Sequence, residues 1–234
     1  MQARSKEVDR MSFGTWMRPA NRGSSVVTAL VALNVAIYFL DATSGGQLTE
    51  RYAMQPETIA NGGEWWRLIT AAFLHAGLLH LGSNMLALWT IGKPIEQMLG
   101  RNRFLGLYFL AAFGGSVASY SFSSVMTQSV GASGAIFGLL TAFIVVGRRA
   151  GFDVTNAIFL LVLNIAIGFS PGIDWHAHFG GGVIGGAACY LMVGGRRGQR
   201  PSEAQVTFGI TVLVVIMLVM FFIRTRAVMA GTAF

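Results

Sequence analysis

The sequence predicts an all-α integral membrane protein: a six-helix bundle followed by one additional C-terminal transmembrane helix. Three observations carry that expectation. Of its 234 residues 53% are hydrophobic and only 12% charged, whereas about a quarter of an ordinary soluble domain is charged. Apolar runs near the length that crosses roughly 30 Å of hydrocarbon as a helix recur along the whole chain. Finally, the basic residues fall in alternate connections rather than in a patch.

The runs are Ser25 to Leu40, Leu78 to Gly92, Phe104 to Phe122, Val130 to Val146, Val154 to Phe169, Asp174 to Val193 and Val206 to Ile223. Ahead of the first lie Arg4, Lys6, Arg10, Arg18 and Arg22 with no apolar core among them, so a cleavable secretory signal is not expected there. Those five, together with Lys93, Arg101, Arg103, Arg148, Arg149, Arg196, Arg197 and Arg200, would share one side of the membrane, which is five plus eight of the 17 basic residues. By the positive-inside rule that side is cytoplasmic and includes the N-terminus. The net charge of +7 is thereby read as topology, and nucleic-acid binding is not expected.

Three segments follow: a short basic cytoplasmic tail at 1–23, a six-helix core at 24–195, and a linker with the seventh helix at 196–234. The connection between the first two runs, "ATSGGQLTERYAMQPETIANGGEWWRLITAAFLHAG", is too long for a plain link and is expected to fold on itself. Trp66 and Arg67 within it suit either an interfacial anchor or a role in shaping the loop. The lone cysteine, Cys189, excludes an internal disulfide.

Polar residues inside hydrocarbon are costly and mark function. Here they open three runs: "HAGLLHLGSN" brings His75, His80 and Asn84, "GASGAIFG" brings Ser133, and "DWHAHFGGGVIGG" brings His176 and His178. The second, fourth and sixth runs share a direction across the membrane, so these groups are expected at one depth near the outer face. A serine becomes a nucleophile when a neighbouring base takes its proton. A histidine is suited to that task, and no carboxylate lies in these runs beyond Asp174 at the mouth, so the expected unit is a Ser/His dyad. His176 and His178 compete for the role of base, and their spacing turns them about 200° apart on a helix, so only one can face Ser133.

Gly134 and Gly138 in one run, and Gly181 and Gly185 in another, have the small-xxx-small spacing that lets membrane helices approach closely. Gly131 frees the backbone ahead of Ser133. An oxyanion would meet the Ser133 backbone N–H at a helix start, the Asn84 amide and His80, the last two sharing one helical face. Ser83, Ser116 and Ser119 read as hydroxyls bonding a carbonyl of their own helix, and His75 as structural. Four histidines without a His-Glu-x-x-His pattern do not suggest zinc. The rival class is a non-catalytic membrane protein, either a transporter or a helix-binding chaperone.

In these residues the chain resembles the rhomboid family of intramembrane serine proteases, across Glu64 to Gly186. The resemblance rests on "WR" in the long loop, "HLGSN", "GASGAIFG" and "AHFGGGVIG", in that order. It implies Ser133 as nucleophile, His178 as general base and then acid, and an oxyanion hole of His80, Asn84 and the Ser133 amide. It further implies Phe137 against the catalytic imidazole and a cavity open to the outer face. Its substrates would be single-span transmembrane proteins in the lipid bilayer, cut without cofactor or metal. The fifth run and "GFSPGID" would form a gate, and a bacterial inner membrane is the expected location.

Overall fold

The computed structural model describes residues 25–170, 172–194 and 201–233. The basic tail residues and Arg196, Arg197 and Arg200 lie outside them. The long helices are α1 (Ser25–Thr43), α5 (Leu78–Leu99), α6 (Arg101–Phe122), α7 (Ser133–Ala150), α8 (Thr155–Gly168), α9 (Trp175–Val193) and α10 (Glu203–Met229). Three short helices fold the first connection: α2 (Gln47–Tyr52), α3 (Pro56–Gly62) and α4 (Arg67–Thr70), the last running into a 3-10 turn at Ala71–Phe73. Among the described residues the sole β element is an isolated bridge between Met54 and Ser129.

All seven runs are helices, with ends that differ by up to seven residues from the sequence reading, and two of the differences have a plain cause. The second continues past Gly92 through Pro94 to Leu99. Lys93 and Glu96 mark where the apolar surface ends, not where the helix does. The fourth starts at Ser133 instead of Val130, because Gly131 has φ +126°, which no helix accommodates.

Among the described residues four helices are apolar and long enough to cross a bilayer alone, and a fifth span results if Arg67–Phe73 and Leu78–Leu99, bent by 93°, count together. The apolar stretch of α8 is shorter, while α9 is diluted by its glycines and histidines. The chain is an integral membrane protein.

Centrally, α9 is wedged against both α6 and α7, and glycine makes that approach possible. A methyl on Gly115 of α6 would stand 2.7 Å from the Ala177 carbonyl oxygen, and one on Gly180 of α9 2.7 Å from that of Gly114. Gly134 and Gly138 of α7 face Gly181 and Gly185 of α9 backbone to backbone, as their spacing predicts. In lipid the gain from such contact is van der Waals packing and interhelical bonding. Thr141 of α7 adds a bond by donating to the Gly182 carbonyl at 2.8 Å. Phe104, Leu107, Tyr108, Leu88 and Leu139 fill the interior below.

At the opposite end from Ser133, the buried Glu96 accepts the backbone N–H groups of Val26 at 3.1 Å and Val27 at 3.0 Å. Those donors are among the N-terminal N–H groups that a helix leaves unpaired, so an ion that would be costly in hydrocarbon ties α1 to α5. By contrast α10 lies outermost, with almost its whole length facing outward.

Candidate active site

The site begins in the loop that delivers Ser133. The two bonds of the Met54–Ser129 bridge, at 3.1 and 2.9 Å, and a third from Gly131 N–H to the Ala71 carbonyl at 2.9 Å, fasten residues 129–131 to the first connection. A β-carbon at Gly131 would lie 2.8 Å from both Cε1 and Nε2 of His80 and 3.4 Å from Asn84 Nδ2. Glycine is required there twice, by φ and by space.

Ser133 is the first residue of α7, where helix N–H groups lack intrahelical acceptors. Its Oγ is 2.9 Å from Nε2 of His178 on α9. With the imidazole proton on Nδ1, Nε2 accepts and the hydroxyl donates. Phe137, one turn on from Ser133, lies flat on the His178 ring, with centroids 4.3 Å apart and planes at 11°. Asp174 caps α9 by accepting the Ala177 N–H at 3.1 Å. Nδ1 of His178 is buried with no hydrogen-bond partner in the described chain. The geometry is that of a pair, without a bonded third member.

His80, Asn84, Ser133, Phe137 and His178 line one cavity of about 640 Å³. Asn84 is buried, and its Nδ2 donor has no partner within the described chain. The first turns of α5, α7 and α9 all meet this cavity, so three positive dipole ends favour negative charge in it.

Other predicted residues fall elsewhere. His75 is buried behind His80, edge-on at 5.1 Å between ring centroids, and is absent from the cavity wall. His176 points away from Ser133: its Nδ1 is 3.1 Å from the Ser123 hydroxyl of α6. That settles by direction which of the two histidines faces the serine. Trp66 is exposed, as an interfacial residue would be. Arg67 is buried and shapes the loop, donating to the carbonyls of Glu50 at 3.0 Å and Ala53 at 2.9 Å and to the Glu64 carboxylate at 2.6 Å. Of the three serines read as back-bonded, Ser83 donates to the His80 carbonyl at 3.1 Å. Ser119 instead meets the Ser123 hydroxyl at 3.4 Å, and Ser116 lines the cavity.

Sequence reasoning missed Asn164, which lines the cavity from α8. Its signal was available, being an amide in the middle of an apolar run, eight residues past Asn156 near the run's start. It also missed Gly114, Gly115 and Gly180, whose adjacency obscured their separate faces.

In this polytopic helical membrane protein a serine hydroxyl is bonded to an imidazole inside a cavity, the arrangement that serine hydrolases use. The chain belongs to the rhomboid family, a family of serine-type membrane proteases: the model of the Rhomboid domain matches residues 62–195. It is 37% identical over 199 residues to Rhomboid protease GluP of Bacillus subtilis (strain 168), covering 78% of this chain and 38% of that protein. It is 41% identical over 131 residues to RHOMBOID-like protein 5 of Arabidopsis thaliana, covering 53% and 42% respectively. It is 28% identical over 206 residues to Rhomboid protease AarA of Providencia stuartii, covering 72% of this chain and 73% of that protein. The chain thus spans about two fifths of the length of the first two relatives.

Proposed function

We propose that this protein is an intramembrane serine endopeptidase that hydrolyses peptide bonds in or near single transmembrane helices, using Ser133 and His178 as its dyad. The observation that carries the reading is the 2.9 Å approach of Ser133 Oγ to His178 Nε2, under a stacked aromatic ring and beside an unpaired amide donor.

In the reaction, His178 Nε2 takes the hydroxyl proton as Ser133 Oγ attacks the scissile carbonyl carbon. Charge gathers on the carbonyl oxygen, where the Ser133 N–H, the Asn84 amide and His80 would hold it. As the C–N bond breaks, His178 returns the proton to the departing amine, leaving an ester on Ser133. Water then enters, loses a proton to His178 and attacks that ester, releasing the second product and restoring the hydroxyl. No cofactor or metal is needed for any step.

Charge placement supports the N-terminus in the cytoplasm and the cavity on the outer side, and the proposed setting is a bacterial inner membrane. The segments 1–23, 24–195 and 196–234 would serve as tail, catalytic core and appended helix.

The test is cleavage of a single-span substrate by the purified protein and by Ser133→Ala and His178→Ala, with fluorophosphonate labelling of the same samples. Loss of cutting in both variants, and of labelling in Ser133→Ala, is expected. Full activity in folded Ser133→Ala would falsify the assignment of the nucleophile.

A further inference from the structure

We infer that the appended helix α10 braces the first turn of α9, and that Arg224 is the positioning residue through which it does so. Its kinetic consequence rests on the hydrolytic reading above; its mechanical consequence does not.

Helix α10 runs alongside α6 and is fastened to it at both ends. At the start, Arg103 Nη2 of α6 meets Glu203 Oε1 at 2.7 Å. At the cavity end, Arg224 donates from Nε to the Tyr120 carbonyl at 3.2 Å and from Nη2 to the Ser123 carbonyl at 2.7 Å. The guanidinium is buried, in a helix whose apolar window has a mean hydropathy of 2.9. A buried cation in such a helix is costly unless it is paired. Its acceptors are carbonyls in the final turn and C-cap of α6, where free lone pairs and the negative dipole end coincide. The next residue adds a bond, Thr225 Oγ1 to the Tyr120 hydroxyl at 2.7 Å.

Ser123, held through its carbonyl by Arg224, is the C-cap of α6. Its hydroxyl reaches across to His176 Nδ1 at 3.1 Å. His176 lies in the first turn of α9, two residues ahead of His178. A continuous line of bonds therefore runs from α10 through the end of α6 into the turn that carries the catalytic imidazole. His178 itself has no partner at Nδ1 among the described residues, so its aim depends on that turn, on Phe137 and on Ser133. Small errors of aim are expensive, since a misplacement of about 1 Å can cost about 100-fold in rate.

The experiment uses the full chain and compares wild type with Arg224→Met, Arg224→Lys, Ser123→Ala and the Arg224→Met/Ser123→Ala double variant. Amide hydrogen exchange is read at residues 175–180 of α9, with 78–84 of α5 as internal reference, beside kcat and KM for a single-span substrate. Arg224→Met is expected to speed exchange at 175–180 by about tenfold, which is the shift that losing a bond of about 1.4 kcal/mol gives, and to leave 78–84 unchanged. Its kcat is expected to fall about 10- to 100-fold with KM within about twofold. Arg224→Lys restores part of both, and the double variant is no worse than Arg224→Met, as members of one chain of contacts should behave. Unchanged exchange at 175–180 in folded Arg224→Met, or faster exchange spread evenly over the bundle, overturns the brace. Should Arg224→Met not fold, Ser123→Ala decides, because it removes the bond to His176 and leaves both carbonyl acceptors. A wild type that neither cuts nor takes the label sinks the protease reading, while the exchange result still decides the brace.

Discussion

Phe137 and His178 lie face to face, 4.3 Å between centroids and 11° from parallel, although they belong to different helices. The phenyl ring covers one face of the imidazole and leaves its Nε2 edge to Ser133. An aromatic pair of this kind contributes about 0.5–1.5 kcal/mol beyond its buried area. Replacing Phe137 by Leu is therefore expected to lower kcat by about 2- to 10-fold and to change KM little. Steady-state kinetics on a single-span substrate would show it, and an unaltered kcat would remove the ring from the dyad's support.

Asn84 offers a buried amide donor that nothing in the described chain accepts. If that donor is reserved for the oxyanion, Asn84→Ala should lose about 100- to 1000-fold in kcat. Substrate affinity should hold, since the ground-state carbonyl makes weaker use of the donor. An equal loss in KM and none in kcat would assign the amide to substrate binding instead.

For Gly131 the expectation is sharper because two constraints coincide, a φ of +126° and a His80 ring 2.8 Å from any β-carbon. Gly131→Ala must displace either the loop or His80. Activity should fall by at least about 100-fold, comparable to losing one oxyanion donor, while helix content by circular dichroism stays native. Retained activity would mean that His80 can move freely and is no part of the hole.

Arg67 acts on stability. Its guanidinium holds two loop carbonyls and the Glu64 carboxylate, and bonds to a charged group contribute about 1.5–3 kcal/mol each. Arg67→Ala should lower the thermal midpoint by several degrees at the least, and Arg67→Lys should recover only part of it, because a single ammonium cannot reproduce the planar fork. An unchanged melting curve would contradict the clamp.

Much of this arrangement is legible in the residues. Apolar run length marks the helices, and polar residues that open runs of shared direction mark the depth at which Ser133, His178, His80 and Asn84 meet. The spacing of Gly134 with Gly138 and of Gly181 with Gly185 foretells which helices touch. What escapes is whatever depends on rotation about a helix axis. The resemblance names His178 as the base, but where His176 turns is set by packing of α9 against the end of α6, and a span of letters carries no such angle. Nor does the sequence disclose that Arg67 turns inward while Trp66 beside it turns outward. Arg224 reads as a charge just past the last apolar run, and its burial depends on the carbonyls of a helix about a hundred positions away, as its bond to Ser123 shows.

The bridge between Met54 and Ser129 bears on how this architecture can be recombined. The segment that leads into Ser133 is moored by backbone bonds to the first connection, through Met54 and Ala71. Exchanging that connection for a relative's would therefore move the serine's own anchorage, even though neither Ser133 nor His178 changes hands. Inheritance in this protein should follow the hydrogen bonds: residues 54, 71 and 129–131 form one heritable module split across two distant stretches of chain, and chimeras that divide it should assemble as membrane bundles yet misplace Ser133.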